Sequence, residues 1–164
     1  MPMKAALRYA VLALFMAVPA VAEQVVLTIS GDVLPPPDGE AWTFDMKALR
    51  ALPSDRIETA TIWTDGVQVF EGVPLNALLE HVGAADGIIE AVALNDYAVT
   101  IPTTDAVENG PILAYERNGD RISVRDKGPL WIVYPFDDNR DYKSEEYYSR
   151  SIWQLDRLKI IAEN

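Results

Sequence analysis

Gly72-Val73-Pro74-Leu75-Asn76-Ala77-Leu78-Leu79 and, further along, Lys127-Gly128-Pro129-Leu130-Trp131-Ile132-Val133-Tyr134-Pro135 are the stretches whose reading decides the fold. In the first, Pro74 sits where an opening helical turn tolerates a residue without an amide hydrogen. Leu75, Leu78, Leu79 and Val82 then recur at the spacing of one helix face until Gly83 ends the run. That pattern predicts a helix laid against a core. In the second, Leu130 to Tyr134 is a nearly continuous apolar run, as expected of a buried central strand.

Outward from these stretches, Val25 to Ser30 alternates in the manner of a strand, and Pro35-Pro36-Pro37-Asp38-Gly39 stops it. Asp45 reads as the N-cap of a short helix that runs to Leu52 before Pro53. Ile57 to Trp63 and Val67 to Phe70 flank Thr64-Asp65-Gly66 and predict a hairpin. Ile88 to Leu94, Ala98 to Ile101, Ile112 to Tyr115 and Ile122 to Val124 are short strand-like segments separated by turn residues. After a polar loop, Ile152 to Ile161 returns as a closing strand. Strands outnumber helices and no linker divides the chain, so a single α+β domain dominated by mixed or antiparallel sheet, with a few short helices, is expected.

The chain has 164 residues, no cysteine and a formal charge of −11. This length suits one domain with a core of its own, and without thiols that core is held by packing alone. Lys4 and Arg8, the apolar run Ala10 to Val18 and the small residues Ala20-Val21-Ala22 read as an export signal over 1–22, which leaves a domain over 23–164. The apolar run is too short to anchor in a bilayer, so a soluble, periplasmic protein without stable membrane insertion is expected. Lys4 and Arg8 are not adjacent, so the twin-arginine signal of folded export is missing. Loss of 1–22 removes two cations and no anion and takes the charge from −11 to −13. Such a surface repels nucleic acid and anionic lipid, and it disfavours a phosphate-rich ligand unless a local basic pocket opposes the mean field. One His, no Cys and no Gly-x-Ser-x-Gly elbow leave neither a zinc site nor a serine nucleophile legible.

Taken together, the motifs resemble the sulfite-oxidase-like molybdopterin-binding domain across roughly Val25 to Ile161. Phe70-Glu71-Gly72-Val73-Pro74-Leu75 is similar to the family's aromatic-x-Gly-Val-x-Leu element. Asn95-Asp96-Tyr97 followed by Ile101-Pro102 resembles its aspartate-glycine-tyrosine turn, Gly128-Pro129-Leu130 its glycine-x-proline strand, and Ser149-Arg150-Ser151-Ile152-Trp153 its serine-valine-lysine element near the cofactor. The resemblance implies a cysteine ligand to molybdenum on the strand that here reads Thr59-Ala60-Thr61-Ile62-Trp63, where no thiol occurs. Two cationic positions of the family correspond to Trp131 and Trp153.

What remains of the family site suits a flat, uncharged heterocycle. A pterin offers two π faces to Trp or Tyr and an edge of amine and ring N–H donors to a carboxylate or carbonyl. Trp153 is the first candidate for stacking, with a core indole as its other reading; Trp131 reads more readily as core. Trp63 would cover the space left by the thiolate, or pack on the helix. Arg150 and Ser151 match positions that line the family site. Asp96 and Tyr97 stand in the family turn, where turn formation alone also explains the carboxylate. Arg140 and Lys143 lie in a loop of alternating charge, and Tyr148, beside Tyr147, is a candidate lid. Trp42 reads as a hydrophobic staple and His81 as a residue capping the leucine helix.

The resemblance, stripped of its thiolate, implies a metal-free pterin as ligand and a receptor rather than an enzyme. Small relatives of this kind act beside membrane sensors, so a sensor's extracytoplasmic domain is the expected partner. A molybdopterin-dependent oxidoreductase subunit of the sulfite oxidase type, using an oxygen ligand, is the alternative. An interaction module that kept the fold and lost every ligand is the third.

Overall fold

The computed structural model of the chain describes residues 24–163, so the expected export signal lies outside the described residues. Leu27 and Ile29 alternate inward along β1 (Val25–Gly31) and are fully buried. β1 pairs antiparallel with β2 (Trp42–Asp45) across the proline loop. On its other edge it runs parallel to β10 (Leu155–Ala162). Beyond β10 lie β5 (Gly87–Ala93) and β6 (Ala98–Pro102), both antiparallel, giving a five-stranded sheet in the order β2-β1-β10-β5-β6. β2 was not anticipated, because the four-residue strand is too short for an alternation to register.

The second sheet carries β3 (Asp55–Ala60), β4 (Val67–Pro74), β7 (Ile112–Arg117) and β8 (Asp120–Arg121) in that order, with β9 (Trp131–Val133) also paired to β7. Gly72 has a packing role: a Cβ there would collide with the Leu113 carbonyl across the β4–β7 ladder, at the point where the register shifts. All three residues of β9 are buried, as the apolar run predicts, but the strand is shorter than expected and has β7 as its one ladder neighbour. An isolated bridge joins Trp131 to Trp153.

Asp45 caps α1 (Met46–Ala51) by accepting from the Ala48 amide at 2.7 Å, which satisfies one of the free N–H groups of the first turn. α2 (Leu75–Val82) buries Leu75, Leu78, Leu79 and Val82 and ends at Gly83 with φ 58°, the left-handed geometry a glycine adopts without strain. Pro74 stands one residue earlier than expected, as the N-cap. Trp42 lies within β2 rather than stapling α1. Its ring stacks on Phe44, meets His81 edge-on at 5.3 Å, and its Nε1 donates to the Leu34 carbonyl.

Three further boundaries differ from expectation. β3 ends at Ala60, so Trp63 stands in the β3–β4 loop rather than on the strand. Ile122 to Val124 is no strand: Ile122 follows β8, and a 3₁₀ turn spans Val124–Asp126. The segment read as a polar loop contains α3 (Glu145–Arg150), and the closing strand starts at Leu155 rather than Ile152. The α+β, sheet-rich, single-domain architecture agrees with the expected fold class.

Candidate functional site

Four chain segments enclose a cavity of about 420 Å³. The β3–β4 loop brings Trp63, the β5–β6 turn brings Asn95 and Tyr97, α3 brings Glu145, Tyr148 and Ser149, and the run into β10 brings Ser151, Ile152, Trp153 and Gln154. The rings form a connected set. Trp63 lies 5.4 Å from Trp153 and 5.8 Å from Tyr148 between centroids, both steeply inclined, and Trp131 sits behind them at 6.0 Å from Trp63. Such edge-to-face contacts fix each ring by its neighbours, so the walls are organised without a ligand.

Trp131 is fully buried in a cluster with Phe70, Ile112 and Val133, whereas Trp153 packs on that cluster and turns its remaining surface to the cavity. Backbone bonds set this division. The Ile132 amide donates to the Ile152 carbonyl at 2.9 Å, and the Gln154 amide to the Lys127 carbonyl at 3.0 Å. Gln154 adopts φ 52°, so the chain turns sharply after Trp153 before entering β10. Lys127 Nζ lies 5.3 Å from the Trp153 ring centroid, within cation–π range. Ser151 is buried. Its Oγ donates to the Ile132 carbonyl, and its own carbonyl accepts from Trp131 Nε1, so this serine braces the wall.

Arg150 is directed elsewhere. Its guanidinium donates to both oxygens of Asp105 at 3.0 and 3.2 Å, pairs with Glu146, and rests over the Tyr147 ring. Tyr134 donates its hydroxyl to the same Asp105 at 2.8 Å; burial, reinforced by that carboxylate, pushes its ionisation far above the ordinary phenol range. Arg150 therefore pins α3 to the 3₁₀ turn at Thr103–Asp105 and does not line the cavity. Asp96 does not either: it is an exposed turn residue with φ 63° that pairs with Arg157. Arg140 lies exposed in a 3₁₀ turn, Arg140–Tyr142, also off the cavity. Of the residues singled out from the sequence, the structure brings Trp153, Ser151, Trp63, Tyr97 and Tyr148 together, and leaves Arg150, Asp96 and Arg140 outside.

Asn95, Glu145, Ser149 and Gln154 add the other polar side chains of the lining and are not among the candidates named from the sequence; Ala93 and Ile152 complete it. A signal for α3 existed in Ser144-Glu145-Glu146 ahead of Arg150, since acidic residues in a first turn and a cation in the last complement the helix dipole.

The segment to which the resemblance gives a thiolate, Thr59 to Trp63, is anchored at its start by hydrogen bonds to Asp137. Thr59 is fully buried, with Oγ1 accepting from the Asp137 amide, and the Asp137 carboxylate accepts from the Ala60 amide at 2.6 Å and from Lys143 Nζ at 2.7 Å. The Ala60 amide, more than Lys143, holds the Asp137 carboxyl below the usual carboxylate range. The sequence has no cysteine, and the described residues contain no cluster of three His, Asp or Glu able to hold a metal. The cavity lining has neither Lys nor Arg to meet a phosphate. This donor set fits a flat heterocycle and does not fit a thiolate-held, phosphate-bearing metal cofactor.

Residues 15–136 match the oxidoreductase molybdopterin binding domain family. No curated protein matches the chain. Among solved structures, the crystal structure of the sulfane dehydrogenase SoxCD from Paracoccus pantotrophus is similar at a TM-score of 0.60 and 18% identity, covering 84% of this chain. That likeness is one of fold, and this chain spans 38% of the SoxCD chain. The family match ends before α3, so two of the four segments of the cavity wall, those from Glu145 to Gln154, lie beyond it.

Proposed function

The chain belongs to the oxidoreductase molybdopterin binding domain family, and from that premise we propose that it is a periplasmic receptor for a free, unmetallated pterin. It has no redox chemistry of its own and relays ligand occupancy to the extracytoplasmic domain of a membrane sensor. The observation that carries the reading is the aromatic cavity with its cation-free, thiol-free lining. Trp63, Trp153 and Tyr148 offer π surface, while the Glu145 carboxylate and the Asn95 amide oxygen supply acceptors for the amine and ring N–H edge of the heterocycle. The charged start, apolar core and small-residue end of 1–22 support export. Among the described residues no helix is long and apolar enough to cross a membrane.

Titration of the protein with neopterin in its oxidised and reduced forms tests this reading through indole emission. Saturable quenching is expected, because two tryptophans face the cavity. Trp153→Ala is expected to weaken binding by about 1–3 kcal/mol, the worth of one aromatic stacking contact. Unchanged emission with every form would remove the pterin reading. The family itself favours a second reading, an oxidoreductase subunit holding molybdopterin through an oxygen ligand, and stoichiometric molybdenum in elemental analysis would establish it.

A further inference from the structure

We propose that a groove beside β1 is a docking surface for an extended segment of a partner protein that carries carboxylates next to apolar side chains. Two concavities, of about 740 and 430 Å³, meet at Gln24, Val26 and Arg121. The first is walled by Lys47, Arg50 and Arg121 over Val26 and Met46, with no Asp or Glu in its lining. The second continues over Val25, Leu94, Val124 and Pro129 and includes one carboxylate, Asp156, which pairs with Arg157. Val25, Leu94 and Val124 are 49%, 47% and 51% exposed, so three large apolar side chains left open to solvent share one trough. Scattered apolar exposure is ordinary, but a contiguous strip with a charged end marks an interaction surface.

Charge selects the occupant. The whole chain carries −11, yet the wall of the first concavity holds Lys47, Arg50 and Arg121 with no acid, so the carboxylates of the occupant belong at that end and its apolar side chains at the other, where Asp156 stands. Glu116 pairs with Arg50, which also rests on the Tyr115 ring at 4.7 Å, while Lys47 and Arg121 have no ion-pair partner among the described residues. Two cations are thus open to carboxylates brought from outside. The chain's own residues 1–22 carry Lys4 and Arg8 and no acid, so they would meet like charge in the groove. An anionic lipid surface is broad and would meet the negative charge around the trough, whereas a narrow segment meets the cationic wall alone. Both edges of β1 are already paired, to β2 and β10, so the segment is held by its side chains rather than added as a strand.

Gln154 joins this groove to the aromatic cavity, which it lines. Its carbonyl accepts from the Leu94 amide at 2.8 Å, and its side chain donates to the Val124 carbonyl at 2.8 Å. Leu94 and Val124 floor the groove. This link to ligand occupancy rests on the pterin reading, whereas the groove itself does not.

The test uses the full chain and a short fluorescein-labelled peptide alternating glutamate with leucine, against the same peptide with lysine in place of glutamate. By anisotropy, the glutamate peptide is expected to bind at least about tenfold tighter, and Lys47→Glu with Arg121→Glu, or Val124→Asp alone, to weaken it about tenfold. Equal binding of the two peptides, or no loss in either variant, would overturn the proposal. So would binding of phosphatidylglycerol vesicles, or self-association through Lys47 and Arg121, in place of the peptide. Far-UV circular dichroism confirms that each variant folds. Retained quenching by neopterin in the same variants separates a failure here from a failure of the ligand reading.

Discussion

Asp105 and Arg150 have side chains only 8% and 14% exposed and share two hydrogen bonds, so removing Arg150 leaves the Asp105 carboxylate with the Tyr134 hydroxyl alone, whereas removing Asp105 leaves Arg150 its pair with Glu146. Breaking a buried pair in this way costs about 3–5 kcal/mol. Arg150→Ala is expected to lower the unfolding free energy from urea titration by up to that amount and Asp105→Asn by less, since Glu146 still pairs Arg150, and Tyr134→Phe, which removes one hydroxyl donor to Asp105, by about 1 kcal/mol. Unfolding free energies unchanged within about 0.5 kcal/mol would show that the pair does not hold α3. At this scale the sequence is legible for residues whose surroundings are local. Trp153 and Ser151 follow the chain's own turn into β10, and both reach the cavity. Arg150 is placed by an acid 45 positions away, and Asp96 by Arg157, 61 positions away, so neither direction is written in the neighbouring residues.

At the level of elements, the β3–β4 loop matters most, because it presents Trp63. Thr61 and Thr64 bond across its neck, and the Asp137 carboxylate grips the end of β3 through the Ala60 amide. Because that grip lowers the Asp137 pKa in the fold, its stabilisation is complete above the unfolded value, near pH 4, and is lost as the pH falls through the lowered folded value. Urea midpoints measured from neutral to acid pH are therefore expected to fall less steeply for Asp137→Asn than for the native chain. Superimposable acid profiles would contradict the latch. Elements with strong periodicity or clear punctuation were readable: α2 between Pro74 and Gly83, α1 behind Asp45, and the strands β1, β4, β5, β6 and β7. Those that escaped are short. β2 has four residues, and α3 has six, with adjacent tyrosines that serve different neighbours: Tyr148 meets Trp63, and Tyr147 meets Tyr134. Neither length gives a period time to repeat. Trp63 was assigned to a strand because the apolar run outlasts the ladder by three residues.

Across the whole molecule, a fold of the oxidoreductase molybdopterin binding domain family encloses an aromatic cavity, and the sequence, which has no cysteine, supplies no thiolate to a metal. The net charge of −11 opposes contact with other polyanions, and the cationic trough beside β1 is the exception to it on which the proposed partner surface is argued. The receptor reading turns on what the cavity holds when the protein is isolated from the cells that make it. Native mass spectrometry of that protein reads the bound mass directly. The expected result is one pterin per chain with no metal; a chain that carries molybdopterin with molybdenum, or that carries no pterin at all, would contradict the receptor reading.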